Sequence, residues 1–365
     1  MEHRLLIIAW IFIILIVMEK QLAEARWWMY SRVLTEETGF TTKDDNRICH
    51  FYHLNNNQLQ ACLSEPKLLL YVGQGTSAGL SACQSQFYFS RWNCSSNVHK
   101  LYKRKTPESA YVNAISSAGV IYKISYECDR GKIKNCGCTL KQHQRSLVAK
   151  PAPDKDKNPF FWSDCNNHLR YGMRMTKIFL DPSKEDTYQG QRKRSLRHLI
   201  TIQNNKAARK VVTSISKEHH KCVCHGPTGH CVSKVCYKWL PHIKVVAKKL
   251  YKQYQKALRV TLKNHYKLVS DEDRVLSKND LVYTERLDYC ERKEELGIPG
   301  TRGRACSNHK PREPDDMQSC QVFCCDRGYR EAVVQRKVKC GCKFKWCCEM
   351  NCKWCDEQQM TYRCR

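Results

Sequence analysis

Five thiol or imidazole groups crowd into ten positions between residues 222 and 231: Cys222, Cys224, His225, His230 and Cys231. Two chemistries use such a spacing. As thiolates and neutral imidazoles the groups are ligands of the kind zinc takes four at a time. As oxidised cysteines they close small loops, and Cys236 supplies a further partner. Catalysis has less to work with. The 14 histidines are scattered, and His225 or His230 as a general base has no acid fixed beside it. No nucleophile elbow, paired metal motif or phosphate loop is present. The sequence therefore predicts no enzyme, no cofactor and no catalytic residue.

The redox compartment separates metal from disulfide. Leu5 to Met18 is an unbroken apolar run behind Arg4, and Ala23-Glu24-Ala25 follows as a cleavage signature. The run is too short for a membrane span, so residues 1–25 read as a signal peptide and the mature chain as starting at Arg26. All 24 cysteines lie beyond it. In an exported chain an even count reads as a disulfide framework, whose connectivity spacing alone leaves open. Export thus argues for bridges over zinc, and the expected metal content is none.

The formal charge is +28 over 365 residues, and removal of the signal segment makes it +29. Such a charge favours polyanions. For an exported chain these are heparan sulfate and anionic headgroups, not nucleic acid. The expected location is the extracellular space and matrix.

Twelve cysteines fall between Cys49 and Cys236 and twelve between Cys290 and Cys364, with a cysteine-free stretch between. The division predicts a domain over 26–261, a charged linker over 262–284 and a cystine-rich domain over 285–365. Thr106-Pro107-Glu108 is a helix start, with hydroxyl cap and proline in the first turn. Ala110, Tyr111, Ala114, Ile115, Ala118 and Ile121 follow as one apolar face. Further helices are predicted from Leu196 to Ile215 and from Leu240 to Leu258. The last carries Lys244, Lys248, Lys252 and Lys256 as a basic stripe. Lys141–Lys157 and Ser183–Arg194 read as loops, the second ending in the tribasic run Arg192-Lys193-Arg194.

The C-terminal part has another character. Residues two apart in a strand point the same way, so Cys340 and Cys342 should bond across to a neighbouring strand as a ladder. Cys324-Cys325 and Cys347-Cys348 either diverge or join as neighbours. Phe344 and Trp346 flank one such pair and Met350 follows it. Aromatics beside a rigid turn suit an anchor for a receptor pocket; burial in the small domain is the other reading. Asn93-Cys94-Ser95 is a glycosylation sequon at Asn93.

Several strings occur in order: Cys83-Gln84-Ser85-Gln86-Phe87, Arg91-Trp92-Asn93-Cys94-Ser95, Ala114 to Val120, Cys136-Gly137-Cys138, Cys222-Val223-Cys224-His225-Gly226, Tyr289-Cys290-Glu291-Arg292, Leu296 to Arg304, and Phe344-Lys345-Trp346-Cys347-Cys348. Together they resemble the signature strings of the Wnt family of secreted signalling proteins, over about Arg26 to Arg365. The resemblance implies a disulfide-rich α+β fold: a helical N-terminal domain with a long hairpin, the thumb, and a small domain ending in a second hairpin, the index finger. It implies that these grip the extracellular cysteine-rich domain of a Frizzled receptor. Phe344, Lys345, Trp346, Cys347, Cys348 and Met350 are then the receptor-binding residues.

The same resemblance implies Cys222–Cys236 and Cys224–Cys231 on the thumb, with Cys342–Cys352, Cys340–Cys355 and a vicinal Cys347–Cys348 on the finger. The expected framework is completed by Cys83–Cys94, Cys128–Cys136, Cys138–Cys165, Cys290–Cys325, Cys306–Cys320, Cys324–Cys364 and Cys49–Cys62. One departure stands out. The family esterifies a fatty acid to a thumb serine, and the matching position here is His230, whose imidazole holds no stable oxygen ester. The chain then acts without lipid and associates weakly with membranes, or Thr228 or Ser233 takes the acyl group. The expected function is a Frizzled ligand with a further, unidentified co-receptor. The alternative is a heparan-sulfate-binding matrix protein or a decoy of Frizzled.

Overall fold

The computed structural model describes residues 47–51, 54–94, 104–134, 136, 148–149, 160–163, 167–182, 196–225, 233–238, 240–264, 267–271, 274–310, 318–346 and 349–365. The signal segment and the tribasic run at 192–194 lie outside them. Two compact units form: Met1–Gln86 with Leu101–Arg286, and Phe87–Lys100 with Leu287–Arg365.

The first unit is built around two long helices. Its helices are α1 (Arg47–Phe51), α2 (Asn56–Ser64), α3 (Lys67–Gln86), α4 (Pro107–Asp129), α5 (Asn167–Leu180), α6 (Leu196–Glu218) and α7 (Ile243–Gln255). Helix α4 starts where its sequence says: Thr106 accepts from the Ser109 amide, with Pro107 in the first turn. From Pro107 to Ile121 every residue is buried, so the neighbouring helices cover it on all sides. Against it lies α3, whose Gly75 and Gly79 let the two backbones touch; a β carbon on Gly79 would lie 2.6 Å from the Ile115 carbonyl oxygen. Helix α7 packs through Ile243, Val246, Ala247 and Leu250. The Tyr111 hydroxyl donates to the Ala247 carbonyl at 3.1 Å, and the Tyr254 hydroxyl to Glu108 at 2.9 Å. The Cys49–Cys62 bridge ties α1 to α2, and Cys128–Cys136 closes the end of α4.

The linker expected at 262–284 is not what forms. Strands β5 (Leu258–Lys263), β6 (Lys267–Ser270) and β7 (Val282–Tyr283) make a sheet of order β6-β5-β7 within the first unit. Alternation explains it: Leu258 and Val260 point inward while Arg259 and Thr261 do not, so the charges ride on the outer face of a strand. Val260 and Val282 pack on Ile200 of α6. Asn204 of α6 locks the arrangement, its carbonyl oxygen accepting from the Val282 amide at 2.8 Å and its amide donating to the Val282 carbonyl at 3.1 Å.

The second unit joins an internal stretch, Phe87–Lys100, to the C-terminal part, Leu287–Arg365, and so differs from the single block expected from 285. Its Phe87–Cys94 stretch meets residues far along the chain. Trp92 sits between Phe87 and Tyr289, ring centroids at 5.2 and 6.5 Å. Arg304 donates to the carbonyls of Arg91 and Ser90 at 2.6 and 2.9 Å and lies 4.7 Å from the centre of the Phe323 ring. Burial pulls the Arg304 guanidinium below its ordinary range. The regular elements are β8 (Ala305–Cys306), α8 (Cys320–Phe323), β9 (Tyr329–Lys345) and β10 (Glu349–Cys364), in a sheet of order β8-β10-β9.

Candidate functional site

The finger is rooted in a small core. Cys320, Phe323, Cys324 and Cys364 are buried, and Tyr329 and Tyr362, edge to face with each other, pack on them. Three bridges staple this base: Cys290–Cys325, Cys306–Cys320 and Cys324–Cys364. The adjacent pair Cys324-Cys325 thus diverges, and Cys325 takes a left-handed φ of 55° to do so. From the base, β9 and β10 run out as an antiparallel ribbon from Tyr329↔Cys364 to Lys345↔Glu349.

Two-stranded ribbons of this kind are marginal in water unless something else holds them. Here Cys340–Cys355 and Cys342–Cys352 link the strands near the far end. Gly341 has a φ of +55° between the first two cysteines, and the register shifts between Asn351 and Lys353 opposite. At the tip Phe344 and Met350 are cross-strand partners, 70% and 71% exposed, and Trp346 is 93% exposed. Burial within the small domain is therefore not the fate of these three side chains. Lys345 ends β9, while Cys347 and Cys348 lie outside the described residues.

The thumb grows from α6. Strand β3 (His220–His225) pairs with β4 (Ser233–Lys238), placing Cys222 opposite Cys236, Cys224 opposite Lys234 and His225 opposite Ser233. Strands β1 (Val148–Ala149) and β2 (Phe160–Ser163) extend this sheet, β2 running parallel to β4. Val148–Ala149 falls in the stretch read as a loop. Thr228, His230 and Cys231 lie outside the described residues, as do Cys138 and Cys165.

Cys83 and Cys94 are both oxidised and buried. Asn93 is half-buried, its Oδ1 shut from solvent without a hydrogen-bond partner among the described residues. The sulfurs of Cys306, Cys324 and Cys364 lie within 4.8 Å of one another. All three are in disulfides, and a bridged sulfur is no thiolate ligand.

The ribbon stem escaped the sequence reading. Val333 and Met360 are partners and exposed, and Lys339 sits 5.7 Å from the ring centre of its partner Trp354. The signal was present in the β-branched residues ahead of the cysteines, Val333, Val334 and Val338.

The model of the Wnt family matches residues 50–365. The chain belongs to the Wnt family. It is therefore a member of a family of secreted signalling ligands, not of an enzyme family. A chain of the solved complex of human WLS with WNT8A is similar to it, at 28% identity and a TM-score of 0.59, covering 85% of this chain and 99% of that one. The N-terminal domain-linker of Drosophila WntD, residues 31–240, matches at 19% identity and a TM-score of 0.40, covering 60% of this Wnt chain and 97% of its own.

Proposed function

We propose that this Wnt chain binds the extracellular cysteine-rich domain of Frizzled receptors through the tip of its β9–β10 finger, without a fatty acid on its thumb. One observation carries the reading: three large apolar side chains, Phe344, Trp346 and Met350, stand exposed at the end of a doubly bridged ribbon. Burying each in a receptor pocket contributes about 1.5–3 kcal/mol, and a ribbon already stiff loses little entropy on docking. His230 at the acceptor position supports a lipid-free ligand; Thr228 and Ser233 are the hydroxyls that an acyl transferase would otherwise find. WNT8A was solved in complex with WLS, and a WLS-type carrier belongs to the same reading for this chain. Its charge of +28 adds sulfated polysaccharide of the matrix as a second partner class.

The test is binding of the secreted, detergent-free protein to isolated Frizzled cysteine-rich domains, beside Trp346→Ala. Saturable binding weakened at least ~tenfold by the substitution supports the ligand reading, given what a buried aromatic anchor is worth. Absence of binding to every domain, with heparin binding intact, supports a matrix role instead. Metabolic labelling with an alkynyl fatty acid reads out the lipid. Label lost on Thr228→Ala or Ser233→Ala would mean relocated acylation.

A further inference from the structure

Helix α7 carries no acidic residue along Ile243–Gln255. Lys244, Lys248 and Lys252 are exposed at four-residue steps, and Lys256 follows at the C-cap. Like charges at that spacing repel along a helix, and a single acid in the row would relieve it. A neighbouring lysine, Lys249, does find a carboxylate, Glu218 at 3.0 Å. Lys244, Lys248, Lys252 and Lys256 have no ion pair among the described residues. The opposite face cannot roll outward, because Ile243, Val246, Ala247 and Leu250 are buried in the core.

The row continues onto α4 at the place where that helix first surfaces. The ring of Tyr122 lies 6.3 Å from that of His242, the residue that caps α7. Tyr122 and Tyr126 stack at 6.3 Å with planes 14° apart, and Tyr126 is 43% exposed. The Arg130 guanidinium sits 5.3 Å from the Tyr126 ring and donates to its hydroxyl at 2.7 Å. Cations thus stand at both ends of a short aromatic step, all within the first unit.

We infer that this row, from Arg130 through Tyr126, Tyr122 and His242 to Lys244, Lys248 and Lys252, is a docking surface for a sulfated glycan chain. The inference rests on the polysaccharide part of the function proposed above and gives it an address. Lysines rising about 6 Å per step along a helix suit the repeated anions of a linear polymer. Tyrosine faces suit the C–H faces of pyranose rings between those anions. An anionic membrane surface fits less well. A helix lying on a bilayer inserts its apolar side, and the apolar side of α7 is already spent inside the protein.

The test uses the full secreted chain and heparin oligosaccharides of defined length, titrated over a range of salt. Lys248→Glu/Lys252→Glu is compared with Lys337→Glu/Lys343→Glu on β9, which changes the charge equally, and with Lys248→Arg/Lys252→Arg. The α7 reversal should weaken binding by about tenfold and lower the salt slope by about two, one for each lost contact. The β9 reversal should stay within about twofold and the arginine pair near wild type. The glutamates relieve repulsion within α7, so an unchanged melting temperature separates lost binding from lost folding.

Equal losses in both reversals would leave a diffuse charge effect and overturn the assignment of this row. No heparin binding by the unaltered chain would sink the polysaccharide reading itself. Binding to phosphatidylserine vesicles that is lost in the α7 reversal, with heparin binding unchanged, would hand the row to lipid and overturn the glycan.

Discussion

A β carbon placed on Gly119 would lie 2.2 Å from the carbonyl oxygen of Gly75. The two glycines are where α4 and α3 cross, backbone against backbone, in the most buried part of the helical unit. Close approach brings dispersion contacts that larger residues would forbid. Gly119→Ala should therefore destabilise the protein by at least ~2 kcal/mol through overpacking, seen as a lower thermal midpoint and reduced secretion. An unchanged midpoint would mean that the helices separate at little cost.

A second expectation concerns acid. Glu127 is buried on α4, its Oε1 2.6 Å from Lys123 Nζ and its Oε2 3.4 Å from Lys132 Nζ. Burial alone would raise its carboxyl, but hydrogen bonding and charge from the two ammoniums outweigh that and hold it below the ordinary range. A depressed folded-state value means that the contribution is complete above the unfolded value of about 4.3 and is lost as pH falls through the folded one. Glu127→Gln should cost ~1–3 kcal/mol at pH 7, and the gap to the unaltered protein should close toward pH 3. Denaturant melts at the two pH values check it.

Asn204 offers a local test. Its side chain meets both backbone groups of Val282 as a strand neighbour would. Asn204→Ala leaves those buried groups unpaired, at ~1–3 kcal/mol for each group left unsatisfied. Hydrogen exchange should speed first across residues 276–283. Uniform acceleration throughout the helical unit would show that the sheet and helices open as one.

The finger bridges should matter for binding more than for stability. Cys340→Ser/Cys355→Ser removes one link from a ribbon that has little core of its own. Affinity for a Frizzled domain should fall by about tenfold through lost preorganisation, while the thermal midpoint of the helical unit stays put. A full-strength complex from this variant would mean that the strand pairing suffices.

What the sequence disclosed was local. Thr106-Pro107-Glu108 announced α4, and Ile243 to Leu250 announced α7 with its buried and basic faces. The finger cysteines bond across strands because residues two apart share a face. Helix α3 was harder to see, since Gly73, Gly75 and Gly79 are poor helix formers whose value lies in what they let approach. The β5–β7 sheet hid behind charges that turn out to lie on its outer face. Hardest was Phe87–Cys94: nothing near it reveals that Arg91 and Trp92 belong with Tyr289, Arg304 and Phe323, because those partners are nonlocal.

That last arrangement has a consequence in time. The Phe87–Cys94 stretch emerges during synthesis about two hundred residues before the segment that completes its unit. At roughly 5–20 residues per second the wait is on the order of ten to forty seconds. Throughout it, Trp92 has no Tyr289 to rest on and the carbonyls of Ser90 and Arg91 have no Arg304. The small unit cannot begin to assemble until translation is nearly over, and the cell must keep this stretch from wrong partners meanwhile.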